Sequence, residues 1–143
     1  MHNRDNYAQQ EIDKQAGAFT AGLLLYATIG IMLMSILDYF TTPEKFKLFF
    51  LYRAAAASLY FALYILFKII RRHNLLFILA AAIIISAMVE LMVLETGGHQ
   101  SPYYAGMIIV FIFLFGLLPV SLKVSSGIAV GIYGMYVLPI IVL

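Results

Sequence analysis

Four charged side chains stand within, or at the ends of, long apolar segments, where an ionisable group is costly to place: Asp38, Arg53, Glu90 and Glu95. Charged residues inside membrane-spanning segments usually pair with one another or mark a functional site. If the segments are antiparallel helices, Arg53 and Glu90 lie at matching depth, roughly 6–8 Å below one interface at 1.5 Å of rise per residue. We therefore expect a structural Arg53–Glu90 pair that fixes the helix packing, with Asp38 as an anchor at the interface.

Two other interpretations of these charged groups stay open. In the first, they line an outward-facing pocket that receives the polar head of a ligand or senses protons. In the second, Arg53 and Glu90 extend to the interface without pairing. We take Asp38, Arg53, Glu90 and the loop at 97–106 as the candidate stimulus-responsive region.

The loop after Glu95 belongs to the same candidate region, and its sequence is Thr96-Gly-Gly-His-Gln-Ser-Pro-Tyr-Tyr-Ala-Gly106. Gly97-Gly98 permits a tight turn. Ser101 is a candidate N-cap, because Pro102 suits the first position of a helix. Tyr103 and Tyr104 are typical of a membrane interface. His99 could titrate near neutral pH, although a lone histidine in a loop is usually just solvated.

The elements that must position these residues are membrane helices. Hydrophobic residues make up 64% of the 143 residues and charged residues 11%, against about 45–50% and about 25% in soluble domains. Crossing a bilayer as a helix takes roughly 20 apolar residues. The apolar runs lack the strict alternation of a barrel. We predict an all-α integral membrane protein, in which a polar tail (1–15) precedes five transmembrane helices at about 16–39, 48–70, 74–94, 103–119 and 124–143.

The distribution of basic residues predicts the orientation of these helices. With a cytoplasmic N-terminus, six of the nine basic residues lie inside (Arg4, Lys14, Lys68, Arg71, Arg72 and Lys123) and three outside (Lys45, Lys47 and Arg53). Excess Lys and Arg mark the cytoplasmic side. Five helices then leave Leu143 outside without a polar anchor. We expect these helices to be the first five of a six-helix bundle in a longer protein.

Small residues indicate where helices pack closely. Gly127, Gly131 and Gly134 form a small-residue face on the fifth predicted helix. We expect that face to pack within the chain, and a dimer seam is the alternative.

Several functional classes have no support in this sequence. Without cysteine there is no disulfide, thiol nucleophile or Cys-ligated zinc site. All three histidines (His2, His73 and His99) fall in tails or loops, which disfavours a membrane haem. No metalloprotease, serine-hydrolase or phosphate-loop motif occurs. A net charge of +2 does not indicate nucleic-acid binding. We expect no cofactor, no metal and no catalytic residue within this sequence.

One family shares this order of residues. A first helix ending in Leu37-Asp38 is followed by a short loop with Pro43 and by Arg53 just inside the second helix. An acidic third-helix end then precedes Gly97-Gly98-x-x-Ser-Pro-Tyr-Tyr-Ala-Gly106. The arrangement, over roughly residues 20 to 143, resembles the N-terminal multi-helix membrane sensor region of bacterial sensor histidine kinases, including hybrid kinases. Similar regions precede some cyclases.

The resemblance implies a signal-input domain in the bacterial cytoplasmic (inner) membrane. That domain would act on a cytoplasmic dimeric kinase, which autophosphorylates a histidine and passes the phosphoryl group to an aspartate on a response regulator. The implied partners are the lipid bilayer, a second copy of the kinase and the response regulator. Two alternatives stay open: a small standalone membrane protein (a transporter or channel subunit, or an accessory protein), and an input domain for a cyclase.

Overall fold

The structure, a computed structural model, describes residues 2–70 and 74–103 and, beyond them, residues 105, 106, 108, 109, 112, 126, 127 and 129–134. Their backbone is almost entirely helical, and none of these residues lies in a strand. The predicted all-α fold class is therefore confirmed for this part of the chain. The helices are α1 (His2–Leu33), α2 (Ser35–Thr41), α3 (Phe46–Ile70) and α4 (Asn74–Glu95), with short 3₁₀ helices at Pro43–Lys45 and Gly98–Gln100.

Helices α3 and α4 lie close to the predicted second and third segments. α3 begins two residues before the expected 48 and ends at the expected 70, and α4 covers 74–95 against the expected 74–94. Charged and polar residues at the ends of apolar runs locate such boundaries well, because these side chains are disfavoured in the apolar core of a membrane and tolerated outside it.

The polar residues of the predicted N-terminal tail are helical. Helix α1 begins at His2, so residues 2–15 are helical and continue directly into the first apolar segment. No Gly or Pro interrupts the sequence before Gly17, and Ala, Gln, Glu and Lys in this stretch are good helix formers. The cytoplasmic location of this end stays a prediction.

Three helices in the described part of the chain are long and apolar enough to cross a membrane: Lys14–Thr41, Pro43–Ile70 and Asn74–Glu95. Five such helices were predicted, and the described residues contain three. The predicted helices 103–119 and 124–143 lie largely outside the described residues. Those of their residues that the structure does describe are helical from 105 onward. The chain is thus compatible with a membrane-spanning protein on the evidence of three helices.

The chain divides into two compact units, Met1–Ile78 and Leu79–Leu143. In the first unit, α1 and α3 pack against each other as an antiparallel hairpin. A Cβ at Gly17, early in α1, would lie 4.0 Å from Cζ of Phe67, late in α3. Near the turn, Asp38 contacts Arg53. The two contacts fix the antiparallel register.

The buried residues of this helical hairpin form one stripe along each of its two arms, α1–α2 and α3. Their spacing of three, four or seven residues is the spacing of helices that pack side by side. The stripe on α1 and α2 comprises Thr20, Leu24, Ile31, Ser35 and Asp38, and the stripe on α3 comprises Phe49, Arg53, Ala56, Tyr60 and Phe67, with Ala57 buried beside Ala56. Asp38 and Arg53 therefore occupy interior positions.

A short irregularity at Met34 separates α1 from α2. The backbone N–H of Leu37 donates to the Met34 carbonyl at 3.1 Å, a 3₁₀-type bond, while Asp38 N–H donates to the same oxygen at 3.3 Å. One tightened turn of this kind inside a helix often marks a hinge. The interruption leaves Ile31, Ser35 and Asp38 on the same buried face.

Large apolar side chains cover the opposite faces of these helices. Tyr26, Phe40 and Ile69 are 74%, 75% and 73% exposed. Soluble monomers rarely expose contiguous apolar surface on this scale. Lipid is the solvent that such faces suit.

Candidate functional site

The most buried charged contact in the described residues joins Asp38 to Arg53. Arg53 Nε donates to Asp38 Oδ2, and Arg53 Nη2 donates to Asp38 Oδ1 at 3.0 Å. Asp38 is 1% exposed and Arg53 8%. Two parallel N–H···O bonds between a guanidinium and a carboxylate give both strength and a fixed relative orientation. The pair neutralises two charges that would otherwise be costly inside an apolar hairpin.

The turn between α2 and α3 positions this pair. The Asp38 carbonyl accepts hydrogen bonds from the Thr42 backbone N–H at 2.9 Å and from Thr42 Oγ1 at 3.4 Å, which ends α2. Pro43 then opens the 3₁₀ helix, where its fixed φ is suitable and its missing N–H costs nothing. The rings of Tyr39 and Phe46 meet edge to face across the turn, with centroids 5.5 Å apart.

The expected partner of Arg53 was Glu90, and in the structure its partner is Asp38. The expected interfacial anchor, Asp38, is a member of a buried ion pair instead. The physical reason is local, because a turn of four residues (42–45) brings α2 directly beside the first turns of α3. The rotational setting of α2 and α3 about their own axes then points the Asp38 and Arg53 side chains towards each other.

Glu90 is buried in the C-terminal part of the apolar helix α4 and is 6% exposed. Neither Oε1 nor Oε2 has a hydrogen-bond partner among the described residues. Ser86, one turn earlier on α4, is fully buried, and its Oγ also has no partner in this part of the chain. These two residues form a second polar site, separate in its chemistry from the neutralised Asp38–Arg53 pair.

The glycine turn expected after α4 is confirmed. Gly97 and Gly98 have φ of 99° and 61°, in the left-handed region that residues with a Cβ rarely adopt. The turn leads into the 3₁₀ helix Gly98–Gln100, which contains His99. Glu95 ends α4 at an exposed position.

A chain of hydroxyl groups ties this turn to the end of α4. Thr96 Oγ1 lies 2.7 Å from the Met92 carbonyl and is also hydrogen-bonded to Ser101 Oγ. A carbonyl can only accept, so the single Thr96 hydroxyl proton points to Met92, and Ser101 must donate to Thr96. Ser101 Oγ in turn accepts from the Tyr103 backbone N–H at 3.1 Å. That last bond is the one expected of the predicted N-cap.

The remaining predicted residues have mixed outcomes. Tyr103 is partly buried, and Tyr104 lies outside the described residues. At Gly127, Gly131 and Gly134 an added Cβ would meet no described atom within 4 Å, and the close packing expected there stays a prediction. Gly106 instead has a close neighbour, since its Cβ would lie 3.3 Å from Val89 Cγ1.

Two buried polar residues, Ser35 and Ser86, were not among the predicted site residues. Both are buried, and neither hydroxyl has a partner in the described residues. Their positions carried a signal. Ser35 falls three residues before Asp38, and Ser86 four residues before Glu90, so each shares a helix face with a charged candidate.

The described residues contain no group of three or more His, Asp or Glu side chains that could hold a metal ion. No family model, curated protein or solved structure matches this chain. The polar sites among the described residues are an ion pair, a hydroxyl-linked turn and a buried carboxyl group without a hydrogen-bond partner there. Arrangements of this kind can hold helices in one packing or release them to another.

Proposed function

We propose that this chain is the membrane-embedded signal-input domain of a bacterial two-component sensor histidine kinase, whose cytoplasmic kinase lies outside these 143 residues. In this proposal the N-terminus is cytoplasmic and the hairpin turn at 42–45 faces outward. The kinase part forms a homodimer and phosphorylates a response regulator.

The observation that carries the proposal is the buried Asp38–Arg53 pair. Both residues belong to the pattern by which the sequence resembles the sensor family, and both are withdrawn from solvent and bonded to each other. Two further positions of that pattern also have defined roles. Gly97 supplies a left-handed backbone, and Ser101 caps the segment after the turn.

The pair lies beside a structural weak point, which suggests how a signal would start. Met34 interrupts the helix one turn before Asp38, and the pair fastens the short helix α2 to α3. A stimulus that loosens or tightens the pair would change the angle of α2 at Met34. Because packed helices switch between discrete arrangements, such a change can pass along α1 and α3 to the cytoplasmic side.

The first experiment measures the native gene product, tagged at its chromosomal N-terminus and blotted from the membrane fraction. A band well above 16.0 kDa that incorporates phosphate from ATP in acid-labile form supports a kinase. A band near 16.0 kDa rejects the proposal. A large product without kinase activity also rejects it.

The second experiment tests the pair in that full-length protein. Asp38→Asn and Arg53→Gln should each shift basal autophosphorylation, and the charge-neutral double variant should return it towards the wild-type level. Glu44→Gln, at an exposed position of the same turn, is the matched control and should leave autophosphorylation unchanged. Wild-type autophosphorylation in both single variants would show that the pair takes no part in signalling.

A further inference from the structure

Glu90 and Ser86 form a buried polar patch on α4 that is short of hydrogen-bond donors. The carboxyl group offers two acceptor oxygens, and neither has a donor in the described residues. The Ser86 hydroxyl can give one hydrogen. Native proteins rarely leave buried polar atoms unsatisfied, and each case calls for a specific explanation.

The two side chains share one helix face. Residues four apart lie one above the other, and side chains on a helix lean towards its N-terminus. Ser86 is therefore the residue one turn away towards which Glu90 can extend, although no hydrogen bond joins the two in the structure. Ser86 lies near the middle of the 22-residue helix, and Glu90 lies roughly 7 Å from the helix end at 1.5 Å per residue.

A charged carboxylate is expensive at this position. Burial of an unpaired ion in an apolar medium costs far more than burial of a neutral polar group. Asp38 shows the alternative solution within the same protein, because its charge is matched by Arg53. Glu90 has no hydrogen-bonded counter-ion among the described residues.

We propose that Glu90 and Ser86 form an intramembrane proton-binding site. A hydronium ion from the aqueous phase transfers its proton to one carboxylate oxygen of Glu90, forming an O–H bond, and leaves as water. No hydrogen bond joins Glu90 to Ser86 in the structure, so the neutral acid donates to Ser86 Oγ after a rotation of the side chains. The step adds one proton and changes no oxidation state. It supplies a hydrogen-bond donor where the described residues provide none, and it does not rest on the kinase assignment.

Infrared spectroscopy tests this site directly. The 143-residue chain is reconstituted in phosphatidylcholine vesicles at neutral pH, and the carbonyl stretch of a neutral carboxylic acid is recorded. The band should be present in the wild type and lost in Glu90→Gln, which keeps the size of the side chain. It should persist in Asp38→Asn, which changes a buried but paired carboxylate, and in Glu95→Gln, which changes an exposed one on the same helix.

Two further measurements sharpen the result. Ser86→Ala should move the band to the higher frequency of an acid with one hydrogen bond fewer. Dicyclohexylcarbodiimide, a lipid-soluble reagent for protonated carboxyl groups, should modify Glu90 and spare Asp38, as read by peptide mass spectrometry. The proposal is overturned if the wild-type spectrum contains no carboxylic-acid band that disappears in Glu90→Gln. An unshifted band in Ser86→Ala overturns the part played by Ser86. If the infrared and carbodiimide results disagree, the infrared result is decisive, because the carbodiimide reacts only with a carboxyl group that it can reach.

Discussion

Asp38 and Arg53, 15 residues apart in sequence, form a bidentate ion pair inside the first helical hairpin. The pair joins the short helix after Met34 to the first part of α3. Neither residue keeps much contact with solvent, so the two charges depend on each other. That dependence has consequences for stability that can be measured.

Removal of one member of the pair leaves an uncompensated buried charge. Asp38→Asn or Arg53→Gln is expected to lower the free energy of unfolding by about 3–5 kcal/mol. The double variant should recover most of that loss, because both charges are gone. Unfolding in mixed detergent micelles, arranged as a double-mutant cycle, gives the coupling energy.

Lys47→Gln is the control for the ion pair, since Lys47 is exposed on the same helix as Arg53. It should change stability by no more than about 0.5 kcal/mol. If the losses in Asp38→Asn and Arg53→Gln simply add in the double variant, the two residues are not coupled.

The left-handed backbone at Gly97 and Gly98 predicts a cost for any side chain there. Gly97→Ala and Gly98→Ala should each destabilise the protein by about 1–2 kcal/mol, because a Cβ is unfavourable at positive φ. Neither change meets a steric contact with a described atom, so the effect isolates the backbone. The same unfolding assay measures it.

Gly30→Ala is the matched control for these glycines. Gly30 lies within α1, and its Cβ would meet no described atom within 4 Å. Alanine should therefore stabilise the helix by about 0.5–1 kcal/mol. Equal losses at Gly30 and Gly97 would contradict the left-handed assignment.

The hydroxyl chain predicts local effects on the turn that follows α4. Ser101→Ala should cost about 1 kcal/mol, the usual value of an N-cap, and should speed hydrogen exchange at the Tyr103 amide. Thr96→Val removes the acceptor of the Ser101 hydroxyl, so the double variant should cost less than the sum of the two. Ser58→Ala removes an exposed hydroxyl that donates to the Ala54 carbonyl of its own helix, and it should not alter exchange at Tyr103. Unchanged exchange in Ser101→Ala would reject the cap.

The absence of cysteine makes the orientation easy to test. Single cysteines at Glu44 and Gln100 should react with a membrane-impermeant maleimide in intact cells, since both positions are exposed and predicted to face outward. A cysteine at Glu11 should react only after permeabilisation. The reverse pattern would invert the predicted topology, and labelling of all three in intact cells would argue against membrane insertion.

The sequence by itself determined the helical class and the extents of α3 and α4. Apolar length is a property of consecutive residues, and a change from Ile70 to Arg71 or from Leu94 to Glu95 marks a boundary without reference to any partner. The turn at Gly97-Gly98 and the cap at Ser101 were predictable for the same reason. Both depend on backbone conformation and hydrogen bonds within a few residues.

Only the tertiary structure decided which charges meet. Two charged residues must lie at matching depth to form a pair, and matching depth suggested Glu90 as the partner of Arg53. The rotation of each helix about its own axis, however, decides where a side chain points. That rotation follows from packing along the whole buried stripe, which places Asp38 rather than Glu90 on the guanidinium. Sequence likewise could not tell that Glu90 is buried without a hydrogen-bond partner in the described residues, because the burial of a side chain depends on what packs around its helix.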